Sequence, residues 1–155
     1  MTFELSSFVH KQFRRHAEDE YPSEACGAVF FDGSTQVYEP LENLQDKYHK
    51  LDPKLYPRTS KEAFFINTLK FSRLIEDYES KGGQLFAIFH SHIDVGAYFS
   101  TEDRQKMASE DKKSEVFCSK CYIVSNISDG KAKEDAVFFF NPAKQDFEEG
   151  NLRLL

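Results

Sequence analysis

The stretch GGQLFAIFHSHI, residues 82–93, decides how the rest of the chain is read. The glycine pair ends whatever helix precedes it. Gln84 to His90 then reads as a strand, a mostly apolar run of the kind found near the centre of a sheet. Side chains alternate along a strand, so His90 and His92 project to one side and Ser91 to the other. Two imidazoles leaving one strand end pose a chemical question as well as a structural one.

Working outward, the preceding segment predicts a helix starting at Thr59, where Glu62 completes a capping box and Phe65, Leu69, Ser72 and Ile75 line one face. Glu42 to Arg58 carries charges and two prolines and is expected to be a long loop. Ala25 to Phe31 reads as a strand, Asp32-Gly33 as a turn, and the region from Thr35 to Tyr38 as a second strand. At the start of the chain, Ser6 and Ser7 can cap a helix in which Val9, Phe13 and Ala17 recur every four residues. That helix should stop before Tyr21-Pro22, because a residue before proline avoids helical angles. Downstream, a third helix is expected from Ser100, with Thr101-Glu102-Asp103 in its first turn. Cys121 to Val124 and Ala136 to Phe140 read as strands joined through Ser128-Asp129-Gly130. Lys144 to Leu155 has no clear pattern and reads as a C-terminal tail. The fold class is α/β, a mixed sheet flanked by helices in one domain over residues 1–155.

The bulk numbers narrow the function. A chain of 155 residues can bury a real core. Its formal charge of −6 argues against a generic nucleic-acid surface. The first residues lack the pattern of a signal peptide, and no apolar stretch approaches a membrane span. Three cysteines, Cys26, Cys118 and Cys121, suit a reducing cytosol better than a disulfide framework, so a cytoplasmic location is expected. The expected partners therefore include neither nucleic acid nor membrane.

His90 and His92 make a natural two-point grip on a borderline-soft metal. Asp103 follows eleven residues after His92, enough chain for a turn and a return into a helix start. Its carboxylate could complete three ligands and leave a fourth position for water. Zinc is the default for such a set; iron also uses two histidines and a carboxylate but needs more open positions and a redox task. Against this stands a plainer account, in which Ser100 and Asp103 are simply a helix cap and its box partner. That account leaves two histidines at a strand end without a task. A zinc hydrolase also needs a base, commonly a carboxylate that is not itself a ligand. Glu24 is the best candidate, since it stands at the mouth of an apolar strand where no helix needs an acid.

Glu24, then His90-x-His92, seven residues, Ser100, two residues and Asp103 together resemble the signature of the JAMM metalloproteases, also called MPN domains. Tyr21-Pro22-Ser23-Glu24-Ala25-Cys26-Gly27 resembles the glutamate-bearing segment of bacterial and archaeal members. The resemblance covers almost the whole chain and implies a curved mixed sheet flanked by helices, similar to the cytidine-deaminase-like fold. It implies zinc on His90, His92 and Asp103, with Glu24 as general base and Ser100 as donor to the developing oxyanion. The activity it implies is hydrolysis of a peptide or isopeptide bond at or next to the C-terminal tail of a ubiquitin-like protein. Phage-assembly or cell-wall peptides are the alternative substrates, and a silent scaffold is the alternative to an enzyme. Relatives of that silent kind usually lose the metal residues, whereas all five positions are intact here. One departure is visible: many relatives have proline directly after the second histidine, whereas here Ile93 is followed by Asp94-Val95-Gly96. That predicts a more flexible and more acidic lip.

The remaining candidates have plainer readings. Cys26 reads as buried packing among small apolar neighbours. Cys118 and Cys121 have metal-like spacing but lack a second pair. His10, His16 and His49 have no obvious partner in the sequence, and Phe138 to Phe140 reads as strand packing.

Overall fold

The computed structural model describes residues 1–98, 100, 101, 103 and 121–155. In chain order the elements are β1 (Thr2–Leu5), α1 (Ser7–Glu20), β2 (Cys26–Phe31), β3 (Gln36–Leu41), α2 (Gln45–Leu51), α3 (Thr68–Ser80), β4 (Gln84–Ile93), β5 (Cys121–Ser128), β6 (Lys131–Asn141), β7 (Asp146–Glu149) and β8 (Asn151–Leu154). Six strands form one mixed sheet in the order β3-β2-β4-β5-β6-β7, and β1 pairs with β8 in a separate two-stranded sheet. β4 runs antiparallel to β2 and parallel to β5, so the histidine strand sits inside the sheet, as its sequence predicts.

Strand alternation sorts the apolar residues onto two cores. Ala28, Phe30, Ile88, Tyr122 and Val124 face α3, which adds Phe71, while the preceding segment adds Phe64 and Ile66. Val29, Ala87, Phe89 and Ile123 face the other way, against Val9, Phe13 and Ala17 of α1. A sheet covered on both faces needs nearly continuous apolar strands, which explains the Phe-rich runs. Burying each such side chain fully is worth about 1.5–3 kcal/mol. Phe13 stacks on Phe89 with centroids 4.3 Å apart, and Tyr78 stacks on Phe30 at 4.1 Å. Gly27 lies under the Tyr38 ring, where an added Cβ would come within 2.3 Å of the hydroxyl.

Four sequence expectations change. The helix expected at Thr59 starts at Thr68, because Asn67 caps it by accepting from the Lys70 amide at 3.0 Å. Thr59 instead accepts the Glu62 and Ala63 amides in an isolated turn. The buried side of α3 is therefore Phe71, with Leu74, Ile75 and Tyr78 packed beside it, whereas Leu69 is exposed. The expected loop from Glu42 to Arg58 contains the helix α2. Residues 144–155, read as a tail, contribute β7 and β8. The histidines of α1 and of α2 all have partners: His10 meets Asp135 at 2.6 Å, His16 meets the Tyr38 hydroxyl at 2.6 Å, and His49 meets the Tyr56 carbonyl at 2.8 Å. Cys26 and Cys121 are buried free thiols, and burial pushes the Cys121 thiol up. Cys118 and most of the expected third helix lie outside the described residues, although Thr101 and Asp103 are helical.

Candidate metal centre

β4 delivers His90 and His92 to the α3 side of the sheet, and Ser91 between them works on the opposite side. Its hydroxyl accepts the Ala25 amide at 2.8 Å, and its own amide donates to the Ala25 carbonyl at 3.0 Å. These two bonds tie the segment bearing Glu24 to the strand bearing the histidines. Behind His90 the Phe64 ring stacks at 4.6 Å. His92 Nδ1 lies 3.2 Å from the Gly96 carbonyl, to which its N–H donates a hydrogen bond; in that tautomer the Nε2 lone pair faces inward. Tyr98 closes on the same imidazole edge to face at 4.8 Å.

Asp103 reaches the pair from the start of its helix. The Ser100 amide donates to Asp103 Oδ2, and the Asp103 amide donates to Ser100 Oγ, each at 3.1 Å. This is the reciprocal capping box expected from the sequence, and the same carboxylate oxygen also faces both histidines. His90 Nε2 and His92 Nε2 are 3.2 Å apart and stand 3.0 and 3.3 Å from Asp103 Oδ2. Four ligands set tetrahedrally about zinc at bond lengths of about 2.0–2.1 Å lie about 3.3–3.4 Å from one another. The three donor atoms thus already have nearly the spacing of three corners of a zinc tetrahedron. All three residues are buried. Burial by itself raises the Asp103 carboxyl, but the adjacent His90 and His92 imidazoles outweigh it and hold the group well below the usual carboxylate range. A buried anion facing two imidazole nitrogens is the charge arrangement that a divalent cation completes.

The cluster opens onto a cleft of about 400 Å³ lined by Glu24, Ser100, His92 and Asp103 together with Arg58, Lys61, Phe64, Ile93, Val95 and Tyr98. Four of the five residues singled out from the sequence thus line one cleft, and the fifth, the fully buried His90, meets two of them, His92 and Asp103. Asp94 adopts a left-handed conformation (φ 57°) and its carboxylate accepts the Tyr21 hydroxyl at 3.0 Å and the Asp129 amide at 3.1 Å. Its amide donates to Ile127 O at 2.9 Å. The acid after Ile93 thus ties the lip to the end of α1 and to the β5–β6 turn.

Glu24 is buried just before β2, outside the strand ladder, and its backbone finds partners in the loop. Its amide donates to the Ser60 carbonyl at 2.6 Å, and its carbonyl accepts from Asn43 Nδ2 at 2.9 Å. Sequence reasoning passed over Asn43, Asp46 and Ser60, and gave Ser91 a face of the strand but no task. Their partners lie far along the chain, so neither periodicity nor a local motif marks them.

The family model described as prokaryotic homologs of the JAB domain matches residues 6–139. The chain belongs to that family. Its His90–His92–Asp103 triad matches the JAMM catalytic motif and is positioned to coordinate a metal, an arrangement consistent with a zinc metallopeptidase active site. Solved structures agree at the level of fold. A protein from Desulfitobacterium hafniense is 18% identical with a TM-score of 0.66, over 100% of this chain and 93% of that one. One from Salinibacter ruber is 16% identical with a TM-score of 0.61, over 99% and 92%. A JAB1/MPN domain protein from Archaeoglobus fulgidus is 15% identical with a TM-score of 0.54, over 99% and 98%. No curated protein matches the chain.

Proposed function

We propose that this JAB-domain protein is a zinc-dependent peptidase or isopeptidase that cuts at or next to the extended C-terminal tail of a ubiquitin-like protein. One observation carries the reading: three ligand atoms 3.0–3.3 Å apart face a cleft that Glu24 and Ser100 also line. Held by His90, His92 and Asp103, zinc would supply a Lewis acid for the scissile carbonyl and would acidify the attacking water.

Each residue then has one task. Glu24 takes the proton from the attacking water and passes it to the departing amine. Ser100 Oγ already accepts the Asp103 amide, which leaves its O–H to donate to the oxygen on which charge develops. The capping box sets the position of that hydroxyl before substrate arrives. An extended tail suits the open cleft, because folded segments have already committed their backbone bonds internally. Small residues before the scissile bond reduce crowding against Tyr98 and Phe64.

The test is a panel of fusions carrying a flexible glycine-ended tail joined to a reporter, beside the same bond held in a structured loop and beside cell-wall peptides. Zinc-dependent release from the flexible tail is expected. Faster zinc-dependent release from the structured loop overturns the tail reading, and release from cell-wall peptides alone transfers the activity to that substrate class.

A further inference from the structure

The general base is held by groups remote from the metal. Ser60 is buried, and its carbonyl accepts the Glu24 amide at 2.6 Å. Ser60 is in turn gripped twice by one carboxylate: its amide donates to Asp46 Oδ1 and its hydroxyl to Asp46 Oδ2, both at 2.8 Å. The Ser23 and Ser60 hydroxyls also meet at 2.8 Å. On the other side of Glu24, Asn43 Nδ2 donates to the Glu24 and Ala63 carbonyls at 2.9 and 3.1 Å. Asn43 Oδ1 accepts the Gln45 and Phe65 amides, each at 3.0 Å. Asp46 sits in the first turn of α2, where a carboxylate is favoured. A two-point hold, on its amide and on its side chain, fixes the Ser60 residue from which the carbonyl projects, which a single hydrogen bond would not do.

We infer that Asp46 is a positioning residue for the proposed general base, acting through Ser60 to set where Glu24 stands relative to the metal ligands. The inference rests on the peptidase reading for the task of Glu24, but the mechanical link stands on the contacts alone. Asp46 is not among the residues that line the metal cleft, so it acts on Glu24 without touching substrate or the metal ligands. Misplacing a reacting group by about 1 Å costs on the order of a hundredfold in rate. The expected loss therefore falls mainly on kcat.

The experiment compares zinc-loaded Asp46→Ala, Asp46→Asn and Asp52→Ala. Asp52 accepts the Leu55 amide at 3.0 Å in the same loop, and its removal controls for general loosening. Residue-resolved amide exchange should show the Glu24 amide exchanging roughly tenfold or more faster in Asp46→Ala. It should be unchanged in Asp52→Ala and near the parent rate in Asp46→Asn, whose amide keeps one acceptor for the Ser60 amide and can donate to the Ser60 hydroxyl. The His90 and His92 amides and the zinc content should stay at parent values in all three. On the flexible-tail fusion, Asp46→Ala should lose about tenfold to a hundredfold in kcat, and Asp46→Asn should recover most of it. An unchanged Glu24 amide in Asp46→Ala overturns the link. So does a raised KM with kcat intact, or Asp46→Asn behaving no better than Asp46→Ala. If the parent protein cleaves no fusion, the exchange data still decide the link, and it is the tail-substrate reading that falls.

Discussion

Phe64→Ala separates what the aromatic wall does for the fold from what it does for the metal. Phe64 is 1% exposed and its ring stacks on the His90 imidazole at 4.6 Å. Truncating a buried phenylalanine costs about 3–5 kcal/mol. In a chain of this size each kcal/mol lowers Tm by about 2–4 °C, so the zinc-free variant should melt roughly 10 °C below its parent. Loss of a wall that orients a ligand should also weaken zinc binding by about 10–100-fold, by analogy with other groups that orient metal ligands. A tenfold weaker site removes about 1.4 kcal/mol of zinc-linked stabilisation, so the rise in Tm on adding zinc should shrink by about 3–6 °C. Phe71→Ala is the comparison: Phe71 is also 1% exposed and belongs to the same core, but its ring contact is with Phe30. Calorimetry with and without zinc, and competition against a chelator, measure both quantities. Equal zinc affinity in Phe64→Ala and Phe71→Ala would refute the wall's role at the metal, whatever their zinc-free melting points.

Other outcomes follow from single contacts. Glu24→Gln should retain zinc and lose most turnover, because it keeps the size of the side chain and removes the proton acceptor; parent-rate cleavage by the purified variant would contradict this. Ser100→Ala should slow turnover on the order of a hundredfold and also lower stability by about 1 kcal/mol through loss of the cap, so melting curves must accompany its kinetics. Asp135 carries an acid-sensitive contribution. Burial raises its carboxyl, but hydrogen bonds from His10 and Ser125 and the nearby Arg14 outweigh this and hold it below the ordinary range. A depressed folded value stabilises the protein above the unfolded value, near 4, and that stability is lost as pH falls through the folded value. Asp135→Asn should therefore flatten the acid limb of a stability–pH curve; an unchanged limb would show that other carboxylates govern it.

The legible parts of the molecule are those with a short period or a local pattern. His90 and His92 share a face because strands repeat every two residues, and Ser100 with Asp103 announces a helix start. Val9, Phe13 and Ala17 mark the buried side of α1 by their spacing alone. The capping pattern at Thr59 misleads because it closes only one turn, after which the chain runs without regular structure and places Phe64 and Ile66 in the core before Asn67 starts α3. β1 and β8 are four residues each and pair across nearly the whole chain, Thr2 opposite Asn151 through Leu5 opposite Leu154. Nothing local marks such a pairing. The clamp on Glu24 is hidden for the same reason, since Asn43, Asp46 and Ser60 look like ordinary polar loop residues until the fold brings them together.

The most direct test of the metal centre is the zinc content of protein purified without added metal, measured for the parent chain and for His92→Ala in parallel. The arrangement of His90, His92 and Asp103 predicts about one zinc per parent chain and close to none in the variant. Equal zinc content in the two proteins would contradict the assignment.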